Sequence, residues 1–453
     1  MLRKFLVAGF ALVLLAVLAA LWWRIDGERM PEFPSQAPAQ MPAPDSNAFN
    51  LMVKAAQAVP DQQAINNATS GRRNPDTGEY EDFRFEEKKQ VVTDNEETIE
   101  FLREALRYPY VPPRDVEDFD DSDTAHFGDF RVLARLLGLK VQVEQANDRP
   151  NEAMTAALDC IEMGRKIAPA ADLMGAMTGV AVSAIGQRDV PDLIRRVDPH
   201  ARREAIQRLE GMREIKVNMI RILNADRLQF LKHLKTTFQH KDWRREMAKL
   251  ETMEDGMDLD PLTTEFQDFP FWQRQRIRWR SWTFHKGRII ESYHQTITEI
   301  ENALAKPYPD GLERWPDGGS GLPSVFEVGL TRTIPTVWFL ILVNETSVEA
   351  LIASLALESH RTMHGTYPAT LEDIDPSLID TAPRDPFTDG QPLRYRRDGD
   401  GYVLYSIGPN GEDNDGQAMM RPDGPPERRY LPRDDLTGDL VAGVNVLRPG
   451  GHR

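Results

Sequence analysis

The sequence lacks most of the features by which an enzyme is usually recognised. It has one cysteine, Cys160, which rules out an intrachain disulfide. It contains no Walker phosphate-binding loop, no Gly-x-Gly-x-x-Gly dinucleotide motif and no His-Glu-x-x-His zinc motif. Catalytic side chains can also meet from distant positions in a chain. An enzyme is therefore the less expected class, although it is not excluded.

Positive charge is also in short supply. The chain has 55 lysine and arginine residues against 71 acidic residues, a formal net charge of -16. Long-range repulsion of this sign disfavours nucleic acid and anionic membrane surfaces as partners, whereas divalent cations are attracted. We therefore expect no nucleic-acid partner.

Long apolar runs are rare, and the one that could span a bilayer is the uncharged stretch 5–23 at the N-terminus. At 1.5 Å per residue, such a helix crosses a hydrocarbon core of about 30 Å. Lys4 precedes the run, and Trp22 and Trp23 close it where interfacial aromatic residues are favoured. We predict a transmembrane signal-anchor over residues 1–26, with the bulk of the chain extracytoplasmic, on the periplasmic or cell-envelope side. A cleaved signal peptide is the alternative.

The rest of the chain predicts a mainly α protein with two folded parts. A proline-rich tether, 27–45, leads to a helical domain over 46–305, predicted as an extracytoplasmic helical bundle. A stretch rich in proline and glycine, 306–324, is predicted as a linker. The last part, 325–453, is predicted as a small α+β module with an antiparallel sheet.

Within the helical domain, a helix pair is predicted near 127–169. It has a polar turn before Pro150 and small residues where the helices would touch. The part near 131–169 resembles a single tetratricopeptide unit, which would imply a peptide-binding groove if further copies stacked on it. Because such arrays usually need about three repeats, a generic bundle is the preferred interpretation.

A predicted helix over 271–304 interleaves arginines with tryptophans. Such a pattern can bind nucleic acid or lipid headgroups. The chain is acidic overall, and tryptophans in a helix often pack inside a bundle. We therefore expect Trp272, Trp279 and Trp282 to be packed.

The C-terminal module carries the most specific pattern in the chain. A helix ends at His364-Gly365-Thr-Tyr-Pro, and Asp385-Pro-Phe follows. Asp398-Gly-Asp-Gly401 then predicts a hairpin turn between strands over 393–396 and 402–407. The second strand runs into the acidic, glycine-rich loop 407–416. The pattern predicts a helix packed on a small antiparallel sheet.

On these residues, roughly 350–416, the chain resembles the globular domain of the major, G-type pseudopilin of type II secretion. That family binds Ca²⁺ in the corresponding loop. By position, the resemblance implies the carbonyl of Ile407 and the side chains of Asn410, Asp413 and Asp415 as calcium ligands. Calcium takes six to eight hard oxygen ligands, and glycines allow a loop to wrap around it. The family's membrane helix carries a glutamate where this chain has Leu14, so the resemblance does not extend to fibre assembly.

The sequence as a whole therefore predicts a membrane-anchored structural or protein-interaction component. It would be secretion- or envelope-associated, with protein partners and a calcium-stabilised loop. One alternative is a membrane-tethered hydrolase acting on envelope material, with Asp385 or Glu372 and a histidine as catalysts. The other is a peptide-binding helical-repeat module.

Overall fold

The computed structural model describes residues 24–30, 32, 43–70, 72–73, 80–81, 85–112, 122–170, 172–250, 271–316, 326–327, 329–419, 438–444 and 446. Within them the chain is mostly helical, with 15 helices and a small three-stranded antiparallel sheet, as the predicted fold class requires. The predicted membrane span, 5–23, lies outside the described residues.

The helices and strands follow one another along the chain with mostly short connections. The first helices are α1 (Ala48–Gln57), α2 (Gln62–Ser70), α3 (Phe85–Asp94), α4 (Glu96–Ala105), α5 (Ser122–Ala146), α6 (Pro150–Ile167), α7 (Leu173–Gln187) and α8 (Val190–Leu193). They are followed by α9 (Pro199–Arg213), α10 (Met219–Gln239), α11 (Trp243–Leu250), α12 (Phe271–Ser281), α13 (Lys286–Leu304), α14 (Tyr308–Leu312) and α15 (Ile334–His364). The strands are β1 (Arg72–Arg73), β2 (Tyr80–Glu81), β3 (Arg394–Asp398), β4 (Gly401–Ser406) and β5 (Leu440–Val441).

The chain divides into two compact units that are not consecutive in sequence. The larger unit covers Ala37–Asp226, Pro307–Asp310 and Pro335–Arg453, and the smaller covers Met1–Gln36, Arg227–Lys306 and Gly311–Ile334. The prediction had separated a helical domain, 46–305, from a module, 325–453. In the structure, helices α1–α9 and the three-stranded sheet belong to the same unit. The predicted linker also contains Tyr308, which is 1% exposed and packs 5.5 Å from Phe387, centroid to centroid.

In the larger unit, the predicted helix pair is present as α5 and α6, joined by residues 147–149. Pro150 begins α6, where its missing N–H costs no helical hydrogen bond. Helix α7 then packs closely against α6. Asp172 caps α7 by accepting a hydrogen bond from the Gly175 N–H at 2.8 Å.

Glycines allow α6 and α7 to approach each other. A Cβ at Gly164 would lie 2.4 Å from the Gly179 carbonyl oxygen and 2.4 Å from the Ser183 nitrogen. Such distances are far below van der Waals contact, so only glycine fits between the two backbones. The backbones of α6 and α7 are therefore in close contact at these glycines.

Helix α15 is the core helix of the larger unit. Asn344, Glu345 and Thr346 interrupt an apolar run in the sequence, but one helix runs through them. The interruption is absent because these polar groups find partners: Thr346 donates to the Leu342 carbonyl at 2.8 Å, and Glu345 lies 3.6 Å from the Arg165 guanidinium.

One helical stretch among the described residues, Leu330–His364, is long and apolar enough to cross a membrane by length and composition. Buried core helices of globular proteins can have the same length and composition. Here 83% of the most apolar window is buried inside the protein.

The sheet has the strand order β3-β4-β5, and both pairs are antiparallel. Asp398 lies opposite Gly401 and Tyr395 opposite Leu404, so the predicted hairpin and its turn are confirmed. Strand β5 adds to β4 through the pairs Tyr405 with Val441 and Ser406 with Leu440. The sheet thus continues into residues well beyond the predicted loop.

The smaller unit contains α11, α12 and α13, together with residues 24–30. The predicted continuous helices are each broken: 199–240 at residues 214–218, and 271–304 at residues 282–285. The tryptophans were expected to be packed, but Trp272, Trp279 and Trp282 are 57%, 79% and 61% exposed. Ile277, on the opposite side of α12, is the residue that is fully buried.

Candidate functional site

The predicted calcium loop, 407–416, leaves the end of β4 and is folded back by three glycines. Gly408, Gly411 and Gly416 have φ angles of 69°, 69° and 77°, a region that glycine enters without strain. At Gly416 a Cβ would also lie 2.9 Å from the Val403 side chain. The loop therefore wraps as predicted, and glycine is required for its shape.

Among the predicted ligands, Asp413 is already bonded to protein groups. Its Oδ1 accepts hydrogen bonds from the Tyr405 hydroxyl and the Asp415 N–H, both at 3.0 Å. Its Oδ2 lies 3.3 Å from Arg394 Nε. A cation at this carboxylate would have to compete with the Arg394 guanidinium.

The other predicted ligands are spread around the loop. Asn410 donates from Nδ2 to the Asn414 side-chain oxygen at 2.9 Å, and its own oxygen accepts from the Glu412 N–H at 3.3 Å. The Asp415 side chain is 91% exposed, 4.0 Å from Arg396. Ile407 donates its N–H to the buried carboxylate of Asp385 at 3.0 Å.

A residue that the sequence analysis did not identify fastens this loop. Asp439 is completely buried, and its carboxylate accepts the N–H groups of Asn414 at 3.2 Å and Gly416 at 2.7 Å. Burial raises the pKa of Asp439, whereas these two hydrogen bonds act in the opposite direction. Asp439 lies far along the chain from the loop it holds, so no local pattern marks it.

Asp385, a catalyst in the hydrolase alternative, occupies a comparable position. Its carboxylate accepts hydrogen bonds from the Ser406 hydroxyl at 2.7 Å and from the N–H groups of Phe387 and Ile407 at 3.0 Å. Burial raises its pKa, and these bonds oppose the shift. Asp385 therefore organises the turn of the Asp-Pro-Phe motif, while Glu372, the other candidate acid, is exposed.

His360 and His364 are four positions apart on α15, the spacing of a two-histidine metal site, and their ring centroids are 4.3 Å apart. Among the residues that the structure describes, no three His, Cys, Asp or Glu side chains are grouped so as to hold a metal ion. The predicted calcium set includes only two acids, so it is not tested by this finding.

A second feature of the larger unit is a cavity of about 440 Å³. Three parts of the chain surround it: α8 and the residues that follow it, the second half of α15, and the β3–β4 hairpin. Its polar walls are formed by Asp192, Arg195, Ser354, Glu358, Tyr367 and Tyr402. Cavities of this size and lining are typical of sites that hold small molecules or short peptide segments.

Glu358 is the centre of the cavity's hydrogen-bond network. It is 3% exposed; Tyr367 donates its hydroxyl to Oε2 at 2.9 Å, and Arg361 pairs with Oε1. Burial alone would raise the pKa of Glu358, but the bonds from Arg361 and Tyr367 outweigh it and lower the pKa. Glu358 therefore stays ionised and serves as a fixed acceptor.

The rings of Tyr367 and Tyr402 form an apolar wall of the cavity, and their hydroxyl groups are its polar ends. Their ring centroids are 5.0 Å apart at 74°, an edge-to-face arrangement. Burial raises the pKa of Tyr402 to about 12, and a hydrogen bond with Ser354 opposes the shift. Burial and the bond to Glu358 also raise the pKa of Tyr367. Both hydroxyl groups therefore keep their protons at neutral pH.

Arg195 lies at the mouth of the cavity. Its side chain is 69% exposed, its Nε is 3.8 Å from Glu358 Oε2, and its contact with the Tyr367 hydroxyl is 3.5 Å long. Both distances are at the outer limit of direct interaction. The guanidinium thus retains donors for a bound group.

Comparison of the chain with protein-family models, with curated proteins and with solved structures finds no match.

Proposed function

We propose that this chain is a membrane-anchored, extracytoplasmic interaction protein that holds a segment of a partner protein in the cavity at Arg195. The apolar run 5–23 supports the anchor, since it has the length and flanking residues of a membrane span. The observation that carries the proposal is the cavity itself, which lies between the helices and the sheet of the larger unit.

The chemistry of the lining favours binding over catalysis. Glu358 is ionised and already bonded to Tyr367 and Arg361, so it has no proton to donate. The tyrosine hydroxyls stay protonated for the reasons given above. Groups that are held by hydrogen bonds to each other can orient a ligand by further hydrogen bonds alone.

The lining also indicates the class of ligand. The tyrosine rings offer an apolar wall, Arg195 offers donors, and the exposed carboxylate of Asp192 offers an acceptor at the rim. An extended peptide segment with one acidic side chain matches this set, because its backbone can use both kinds of group and its carboxylate can pair with Arg195.

The test is site-specific photo-crosslinking of the full chain in cells. A photoreactive amino acid at position 192, at the rim, is expected to capture a protein partner, whereas the same residue at position 204 on α9 is not. The substitution Arg195→Ala should reduce capture at position 192 by roughly tenfold, the loss of one charge-assisted contact.

Arg196→Ala is the matched control, because Arg196 is also exposed but pairs with Asp148 at 3.0 Å. Equal capture by both arginine variants, or no capture at position 192, would contradict the proposal.

Calcium binding by the loop is proposed as a second property of the same unit. The observation in its favour is the wrapped backbone with positive φ at three glycines beside Asn410, Asp413 and Asp415. The resemblance to the pseudopilin head, which suggested this site, remains a prediction. Loop closure by a cation would stabilise the folded unit selectively.

Arg394 provides a direct test of the calcium site. If Asp413 is a ligand, Arg394→Gln removes its competitor and should tighten calcium binding to the full chain, measured by titration calorimetry. Asp415→Ala should weaken it. Heat signals that are the same with calcium, with magnesium and in both variants would exclude this site.

A further inference from the structure

Helix α12 in the smaller unit presents aromatic side chains to solvent. Phe271, Trp272, Trp279 and Trp282 are 57–79% exposed, and we call them the exposed aromatic face. Trp272 and Trp279 are seven positions apart, so they share one side of the helix, and Ile277 is buried on the other. Single exposed hydrophobic residues are ordinary, but four exposed aromatic side chains on one short helix and the residue that follows it indicate an interaction surface.

The exposed aromatic face lies against the residues that directly follow the apolar run 5–23. The Arg24 guanidinium lies 4.6 Å from the Trp282 ring centroid, a cation–π contact. Ile25, the next residue, is 72% exposed. The point at which the chain would leave the bilayer is therefore beside α12.

Several polar contacts hold this arrangement within the smaller unit. His285 contacts Asp26 at 3.0 Å between Nε2 and Oδ2, and the Lys286 N–H donates to the Gly27 carbonyl at 3.3 Å. Glu28 accepts from Trp243 Nε1 at 2.8 Å and pairs with Arg244. Residues 26 and 27 are thus held at the start of α13, and Glu28 is held at the start of α11.

We infer that α12 lies on the membrane surface at the exit of the chain's own anchor, with the exposed aromatic face in the lipid headgroup region. Tryptophan favours this depth because its ring is apolar and its N–H is polar.

The net charge of -16 repels anionic membrane surfaces at long range. Screening limits that repulsion to about 8–10 Å at physiological salt, so the composition of the local surface decides the contact. The inference rests on the proposed membrane anchor, which would place α12 within reach of the bilayer.

Depth-dependent quenching in vesicles tests the inference on the full chain. Cys160 is fully buried, so a cysteine introduced at position 279 can be labelled selectively with an environment-sensitive fluorophore. The chain is reconstituted into phosphatidylcholine vesicles with and without phosphatidylglycerol. The label in Trp279→Cys should be quenched by lipids with a spin label near the headgroup and shielded from aqueous iodide. Glu204→Cys on α9, labelled in the same way, should be quenched by iodide alone.

A label at Leu14→Cys separates this inference from the anchor proposal. Deep quenching at position 14 with free iodide access at position 279 would overturn the inference and leave the anchor intact. No lipid quenching at position 14 would overturn the anchor instead. Shielding of position 279 that depends on protein concentration and not on lipid would assign the exposed aromatic face to a second copy of the chain, which also overturns the inference.

Because a fluorophore is itself apolar, intrinsic fluorescence provides a second measurement. Brominated lipids should quench the native tryptophans, and Trp272→Ser with Trp279→Ser should remove a large share of that quenching. Unchanged quenching in this double variant would contradict the inference.

Discussion

Asp439 should hold the loop 407–416 more firmly than any residue of the predicted calcium set. Its buried carboxylate accepts two backbone N–H groups, from Asn414 and Gly416. Each hydrogen bond to a charged group contributes roughly 1.5–3 kcal/mol. Burying the carboxylate costs free energy, and this cost disappears when the side chain is removed, which offsets part of the loss. We therefore expect Asp439→Ala to destabilise the loop by about 3 kcal/mol.

Hydrogen exchange of the Gly416 amide directly measures how firmly Asp439 holds the loop. A loss of about 3 kcal/mol corresponds to exchange that is roughly a hundredfold faster, if the loop opens locally. Asp439→Asn keeps one acceptor oxygen and should show about half of the effect in free energy. Measuring a local amide is preferable to a melting curve, because a chain with two units need not unfold in one step.

Asp413→Ala tests whether Asp439 or the predicted calcium ligands hold the loop in its shape. Asp413 accepts hydrogen bonds from the Tyr405 hydroxyl and the Asp415 N–H and pairs with Arg394. The Asp413 and Arg394 side chains are 46% and 42% exposed, so water can replace these contacts, and we expect them to contribute about 1 kcal/mol. Without calcium, exchange at Gly416 should change by less than about fivefold in this variant. The reasoning is refuted if Asp413→Ala accelerates exchange more than Asp439→Ala does, or if Asp439→Ala leaves the rate unchanged.

Two further predictions concern the core of the larger unit. Gly164→Ala should lower the free energy of unfolding by about 3 kcal/mol or prevent folding, because its methyl group would overlap the α7 backbone. Gly211→Ala is the control, because a Cβ at Gly211 would meet open space, and it should be neutral or stabilising by about 0.5–1 kcal/mol. Equal urea unfolding midpoints for the two variants would contradict the packing argument. Burial raises the pKa of Asp226 from 3.8 to about 7, so the folded chain binds a proton that the unfolded chain releases. This group's contribution to stability is thus lost as pH rises from about 4 to 7, and Asp226→Asn should flatten the measured pH dependence over that range.

The hairpin was predictable because its signals are local. Asp398-Gly-Asp-Gly401 specifies the turn, and the turn brings the strands on either side of it together with Asp398 opposite Gly401. The start of α6 at Pro150 and the close contact of α7 were recognisable for the same reason. In each case the deciding residues are neighbours in sequence.

The continuity of α15 was not predictable from local sequence. Asn344, Glu345 and Thr346 interrupt an apolar run and so resemble a helix boundary. Whether polar residues end a helix depends on whether their side chains find partners. Arg165, the partner of Glu345, comes from α6, which is distant in sequence.

The orientation of α12 was missed for a different physical reason. Tryptophans at helical spacing are consistent with a packed face and with an exposed one, because periodicity identifies a face without saying what covers it. The contact of Arg24 with Trp282 relates this face to the start of the chain. That contact joins residues that are far apart in sequence.

The two hydrogen bonds from the loop to Asp439 also limit where calcium could bind. An N–H and the carbonyl of the same peptide plane point in opposite directions. The N–H groups of Asn414 and Gly416 point at the Asp439 carboxylate, so the carbonyls of Asp413 and Asp415 point away from it. A cation that uses those oxygens must therefore lie on the side of the loop away from Asp439. If it also uses the Asp413 carboxylate, it competes there with Arg394, whose Nε lies 3.3 Å from Oδ2.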